Sequence, residues 1–211
     1  MQKVSVFVDG FNFYHAIKTL RKNHLKWVDI RKLADQFAPS PQFSIEAIYY
    51  FSAYATWLPA QHKRHMAYIK ALTANGVTPI LGKFKEKDRG CKQCDAMWIG
   101  HEEKETDVNI ALYLLDGAYR DEFDRALILS ADSDLAPAIQ LVKQRFPHKE
   151  IRILTPPNRP HSMELAKAAG GFQSAKKIKP LHIERSLFPH EVHDAQGNLV
   201  ATRPTEYDPP V

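Results

Sequence analysis

Carboxylates recur at three places along this chain, and each follows an apolar run or opens a helix-like pattern. The run Val4–Val8 in VSVFVDGFNFY delivers Asp9 and, three residues on, Asn12. Asp107 stands in EEKETDVNIALYLL, and Asp132 and Asp134 follow Ala126–Leu129 in RALILSADSDLAPAI. Carboxylates crowded together raise one another's pKa, so a fold that gathers them needs positive charge among them. A divalent cation supplies it, and hard oxygen donors are what Mg²⁺ selects. The chemistry indicated is phosphoryl transfer or phosphodiester hydrolysis at an Asp-held Mg²⁺ or Mn²⁺. Taken singly, each acid also has a structural use. Asp9-Gly10 reads as a strand-end turn, Asp132 and Asp134 as helix N-caps, and Asp107 as favourable to a helix dipole.

The elements that must position these acids alternate from the first residue. Strand patterns cover Val4–Val8, Ile45–Tyr54, Val77–Phe84, Ala126–Leu129 and Ile151–Leu154. Helix patterns fall at Phe13–Arg21, around Ile30–Phe37, from Pro59 to Ala74, from Thr106 to Tyr119, at Leu135–Arg145 and at Glu164–Ala169. The Thr106–Tyr119 helix reads with Val108, Ala111, Leu112 and Leu115 on one face. A charged loop is expected from Lys85 to Glu103. Continuous apolar strands between helices imply an α/β fold with a parallel sheet of about five strands covered on both faces. Ligands of such sheets bind beyond the carboxyl ends of the strands, where strand order reverses. If the first and fourth strands are neighbours, Asp9 and Asp132 meet at that point, and Asp107 reaches it from the helix before the fourth strand. Coincidence would then have to place three acidic sites on one rim. After Lys177 the pattern changes. Gln196-Gly197-Asn198 is a hairpin turn signal between Glu191–Asp194 and Leu199–Thr202, and the tail from Pro204 reads as loose.

In order and flanking strands, VFVDGFNFYHAI, EEKETDVNIALYLL and ALILSADSDLAPAI resemble the NYN domain, a LabA-like branch of the PIN-like nuclease superfamily, over about residues 3 to 180. The resemblance implies a Rossmann-like fold and a metal-dependent ribonuclease. It divides the chain into a nuclease domain, 1–180, and a C-terminal extension, 181–211, with a hairpin and a loose tail. It assigns Asp9, Asp107, Asp132 and Asp134 to Mg²⁺ and places Asn12 beside the metal. Ser130 and Ser133 would help bind a ligand or position a turn, and Lys104 would contact phosphate. Lys83, Lys85, Lys87 and Arg89, with Phe11, Tyr14 and Trp98 as stacking surfaces, are candidates to hold single-stranded RNA. A non-catalytic RNA- or protein-binding module of the same fold stays open. A haloacid-dehalogenase-like phosphatase fits less well, because Asp9-Gly-Phe lacks that family's second aspartate.

The composition is that of an ordinary globular protein, 44% hydrophobic and 25% charged over 211 residues. A formal charge of +5 around an acidic centre suits an anionic substrate. No apolar stretch approaches the roughly 20 residues needed to span a bilayer, and no signal-peptide pattern opens the chain, so a cytoplasmic protein is expected. Cys91 and Cys94 form a single C-x-x-C, for which a zinc site with His101 as third ligand competes with an ordinary loop.

Overall fold

Val4, Val6 and Val8 alternate with Ser5, Phe7 and Asp9, and all six are buried, so the first strand needs cover on both faces. The computed structural model, which describes residues 1–90, 94 and 96–210, supplies it. The chain opens with β1 (Gln2–Asp9), α1 (Gly10–Thr19), α2 (Ile30–Asp35), β2 (Phe43–Ser52), α3 (Pro59–Ala74) and β3 (Thr78–Leu81). A two-stranded insertion, β4 (Lys83–Gly90) and β5 (Met97–Lys104), precedes α4 (Thr106–Tyr119). The alternation resumes with β6 (Arg125–Leu129), α5 (Ala136–Arg145), β7 (Glu150–Thr155), α6 (Met163–Ala168) and β8 (Ala175–Lys177). A short helix, α7 (Pro180–Glu184), and a hairpin, β9 (Glu191–His193) and β10 (Leu199–Thr202), follow.

The central sheet has the order β3-β2-β1-β6-β7-β8, and every neighbouring pair is parallel. The first and fourth apolar strands of the sequence are therefore neighbours, as the convergence of Asp9 and Asp132 requires. β8 is an edge strand of three residues, too short to leave a periodic signal. Side chains alternate across the sheet. Val4, Val6 and Val8 pack with Ile17, Leu33 and Leu72 beneath α1, α2 and α3. Phe7 joins Ile110, Leu114 and Ile139 beneath α4 and α5. Asp9 shares the parity of Phe7 and so belongs to the α4 side.

Four expectations need correction. The strand expected over Val77–Phe84 is broken at Gly82, where a Cβ would stand 2.6 Å from the Lys104 carbonyl oxygen. The expected loop from Lys85 to Glu103 is largely an antiparallel ladder, with Lys83 opposite Lys104 and Gly90 opposite Met97. Its strands are charged on both faces, so no alternation marked them. On α4 the buried residues are Thr106, Ile110, Leu114, Gly117 and Ala118, while Val108 and Leu112 are 61% and 58% exposed. That helix is apolar almost all round, so periodicity could not choose its inner face.

The fourth correction concerns the C-terminal segment. Ile183, Phe188, Val192, Ala201 and Tyr207 are buried in the same cluster as the β1 valines. The tail expected to be loose turns through a 3-10 helix at Thr205–Tyr207, because the Tyr207 ring is drawn into that core. Trp27, fully buried, joins the segment to the domain. Its Nε1–H donates to the Pro189 carbonyl at 2.9 Å, and its ring lies 5.8 Å from Phe188. Among the described residues no helix is long and apolar enough to cross a membrane. Trp27→Ala should cost about 3–5 kcal/mol of stability, the range for deleting a large buried aromatic. Urea unfolding checks this, and a loss under about 1 kcal/mol would show that the C-terminal cover is dispensable.

Candidate active site

Asp9 ends β1 and is the N-cap of α1, its Oδ1 accepting the Asn12 N–H at 2.9 Å. α1 therefore begins at Gly10, earlier than the sequence pattern suggests, with Asn12 in its first turn. A Cβ at position 10 would lie 2.6 Å from both the Phe51 carbonyl oxygen and the Tyr50 ring, so only glycine lets the helix start against β2. The second carboxylate oxygen of Asp9 accepts the Ser130 hydroxyl at 2.9 Å, and Ser130 Oγ accepts the Asp132 N–H at 3.0 Å. Asn12 Oδ1 accepts the Ala131 N–H at 3.2 Å, closing a second link between α1 and the turn after β6. Asp132 Oδ1 in turn accepts the Asp134 N–H at 3.1 Å and caps the 3-10 turn Ser133–Leu135. The capping and metal readings of Asp9 and Asp132 are compatible, since a carboxylate that accepts one such bond keeps further lone pairs.

Asp107 lies in the first turn of α4, half-buried. Its helix starts from Glu105, held at φ 80°, while Glu103 Oε1 accepts the Thr106 N–H at 3.2 Å and also its hydroxyl. The carboxyls sense one another. Burial, then the charges of Asp107 and Asp132, raise Asp9 to about 6 against two opposing hydrogen bonds. Burial, then Asp132, Glu103 and Asp134, raise Asp107 to about 6. Asp9 thus senses Asp107 and Asp132, and Asp107 senses Asp132 and Asp134, around the ends of β1 and β6. Among the described residues, however, no three His, Cys, Asp or Glu side chains are gathered closely enough to hold an ion.

The other expected site residues divide. Ser130 is fully buried between Asp9 and Asp132, so it positions the turn and does not face a ligand. Ser133 and Asp134 line an open cavity with Pro137, Gln140, Glu164 and Lys167. Lys104 is exposed, and its ammonium lies 3.1 Å from Glu102. Glu102 also takes Lys87 at 3.2 Å and Arg89 at 2.9 Å, and Lys104 and Lys87 pull its carboxyl down to about 2. Lys83 pairs with Glu105 at 2.6 Å. Glu86, Asp88 and Glu103 add further negative charge to the same strands, so the basic run after the third strand is largely balanced within its own hairpin. Trp98 is 51% exposed on β5, and Phe11 packs edge-on against Phe84 at 5.3 Å. Of the zinc candidates, Cys91 lies outside the described residues and Cys94 is exposed. His101 pairs with Glu86, four residues and about 13 Å along β5 from Met97. There it stacks on Trp57 at 3.6 Å and 10°.

A second feature beside the carboxylates left no mark in the sequence pattern. A cavity of ≈ 380 Å³ lies between α1 and α3, beginning at Gly10. Tyr50, Trp57, Tyr68 and Phe84 are among its walls, and Lys18, Lys26 and Arg64 lie along it. Its residues come from elements far apart in sequence, and only those between Gly10 and Ile17 stood in a motif.

The NYN domain family profile matches residues 3–176. The 6-hydroxy-3-succinoylpyridine 3-monooxygenase HspA of Pseudomonas putida is 25% identical over 187 residues, which cover 72% of this chain and 58% of that protein. The chain thus spans less than two thirds of that relative's length. The crystal structure of a protein of unknown function from Vibrio parahaemolyticus has a similar fold, with a TM-score of 0.58 at 20% identity over 89% of this chain and 96% of that one.

The raised carboxyls make a signed prediction for metal-free protein. Asp9 and Asp107 titrate near 6 when folded against an ordinary 3.8, so between those values the folded state holds more protons. Their contribution favours folding below about 4 and turns against it as pH climbs through 6. Asp107→Asn should leave Tm nearly unchanged at pH 4 and raise it by a few degrees at pH 7 in EDTA. Thermal scans at the two pH values check this, and an equal effect at both would separate Asp107 from the cluster.

Proposed function

Because the chain belongs to the NYN domain family, a PIN-like nuclease family, we propose that it is a Mg²⁺- or Mn²⁺-dependent ribonuclease that hydrolyses single-stranded RNA. The observation that carries this reading is the buried Asp9 carboxylate at the β1–β6 switch point, with the charges of Asp107 and Asp132 acting on it. Like charges brought near a buried carboxylate in an all-oxygen set suit a hard divalent cation. The residues fit such an ion in kind, and Asp107 and Asp132, both partly exposed, are the side chains with freedom to turn toward it.

In this reading Asp9, Asp107, Asp132 and Asp134 would hold the cation, which would supply charge for the phosphate and lower the pKa of a water. Ser130 and Asn12 act through the acids: the first fixes the Asp9 carboxylate, and the second holds the turn that carries Asp132. Tyr14 and Trp98 offer exposed rings to bases, and the formal +5 draws a polyanion towards the acidic edge. The same chemistry would act wherever the chain meets RNA, and a cytoplasmic setting is proposed.

One observation favours a second reading. The resemblance to a protein named as a monooxygenase of a substituted pyridine, taken with the aromatic cavity, suits an enzyme acting on a small aromatic molecule. Incubating labelled single-stranded RNA with either metal or with EDTA separates the two. The ribonuclease reading expects metal-dependent cleavage that falls to background in Asp9→Asn and Asp132→Asn. Metal-independent cutting, or equal rates in those variants, would overturn it; RNA binding without cleavage would make the chain a non-catalytic module. Ser130→Ala should weaken Mn²⁺ binding by about 10–100-fold, as the loss of a carboxylate's supporting partner does. Calorimetry gives the value directly, and an unchanged affinity would remove Asp9 from the ligand set.

A further inference from the structure

The cavity between α1 and α3 has two chemically different ends. At the α1 N-terminus it starts at Gly10, one residue from the Asp9 carboxylate. Its walls there are rings: Trp57 meets Phe84 edge-on at 4.6 Å and is backed by His101. Inside, Ser52 Oγ lies 3.4 Å from His65 Nε2, and burial pulls that imidazole down to about 4, so it is neutral at pH 7. A neutral imidazole beside a hydroxyl offers both a donor and an acceptor to a flat polar edge.

At the other end stand Lys18, Lys26 and Arg64. Lys26 lies 5.2 Å from the Tyr14 ring centre and 5.8 Å from that of Tyr207, and its ammonium donates to Asn23 Oδ1 at 2.9 Å. Burial and the charges of Lys18 and Arg64 both hold its pKa below the ordinary lysine value, so the three cations crowd one another. Among the described residues their one ion pair is Arg64 with Glu206 at 2.7 Å. Three cations with a single carboxylate partner leave room for an anion. Gly10 and Lys18 are eight residues apart on α1, so the two ends are about 12 Å apart. A purely apolar ligand would leave the cations unanswered, and a small aromatic acid would not reach from the rings to them.

We propose that this cavity is a nucleotide subsite, in which the base lies against Trp57 and Phe84 with its polar edge toward Ser52 and His65, and the phosphate is held by Lys18, Lys26 and Arg64. The choice of a nucleotide rests on the ribonuclease reading. The subsite would hold the nucleotide next to the scissile bond, because its aromatic end adjoins Asp9. Base stacking tolerates any base, so it sets position along the strand more than sequence.

Binding of AMP and UMP, measured by calorimetry and by tryptophan fluorescence in EDTA, tests the subsite without any cleavage. Both nucleotides should bind, and AMP should bind about tenfold more tightly than adenosine. The double variant Lys18→Gln/Lys26→Gln should lose about that same tenfold for AMP and none for adenosine, and affinity should fall with salt. Trp57→Ala should weaken AMP and adenosine alike. Circular dichroism confirms that each variant is folded, and Lys18→Gln alone serves if the double variant is not. Absence of AMP binding, equal affinity for AMP and adenosine, indifference to the lysine changes, or benzoate binding as tightly as AMP would each overturn the proposal. If AMP binds as expected and RNA is uncut with either metal, the subsite stands and the ribonuclease reading falls. Metal-dependent cleavage without AMP binding would remove the subsite and leave the ribonuclease reading in place.

Discussion

A carboxylate at 4% exposure is costly to keep, and Asp9 is kept at the end of the central strand. Three bonds explain how. The α1 backbone and Ser130 each donate to one of its oxygens, and Ser130 passes the tension to the Asp132 backbone. The start of α1, the end of β1 and the turn after β6 are thus one hydrogen-bonded unit. Its position follows from the strand order, because the chain leaves β1 toward β2 on one side and returns to β6 on the other. The gap this creates above the sheet lies at the ends of the strands that carry Asp9 and precede Asp132.

The two faces of the sheet do different work. On the α4 side, Asp9 shares its parity with Phe7 and senses the charges of Asp107 and Asp132. On the α1–α3 side the valines of β1 pack under a cover completed by the C-terminal segment, and above them the aromatic cavity opens. α1 serves both, since its N-terminus is capped by Asp9 and its flank lines the cavity as far as Lys18. Gly10 is the narrow point between the two, and a larger residue there would push helix and strand apart.

The hairpin β4–β5 joins the sites from above. Phe84 and His101 reach across to Phe11 and Trp57, while Glu103 fixes the first turn of α4 and with it Asp107. Its basic side chains are mostly spent on Glu102 and Glu105. Lys18 on α1, Arg64 on α3 and Lys26 just after α1 share one carboxylate partner among the described residues, Glu206, and stand away from the lysine run that looked most suited to RNA.

The local chain alone determined the parallel α/β sheet and the placing of Asp9 and Asp132 at the ends of two of its strands, because buried strands are continuous apolar runs and their ends mark the functional edge. Asp9 and Asp132 were legible since the residue after such a run has few places to be. The inner face of α4 was not, because Val108 and Leu112 are as apolar as Ile110 and Leu114, and only the packing of Phe7 and Phe123 decides which row is covered. Nor was the role of Ser130, which depends on β1 and β6 lying side by side. The hairpin's charged strands carry no alternation, and Tyr207 looks like a tail residue until the core offers its ring a place. The cavity was furthest from reach: Gly10, Trp57, Arg64 and Phe84 are ordinary residues in sequence, and they become a site only when α1, α3 and the hairpin enclose a common space.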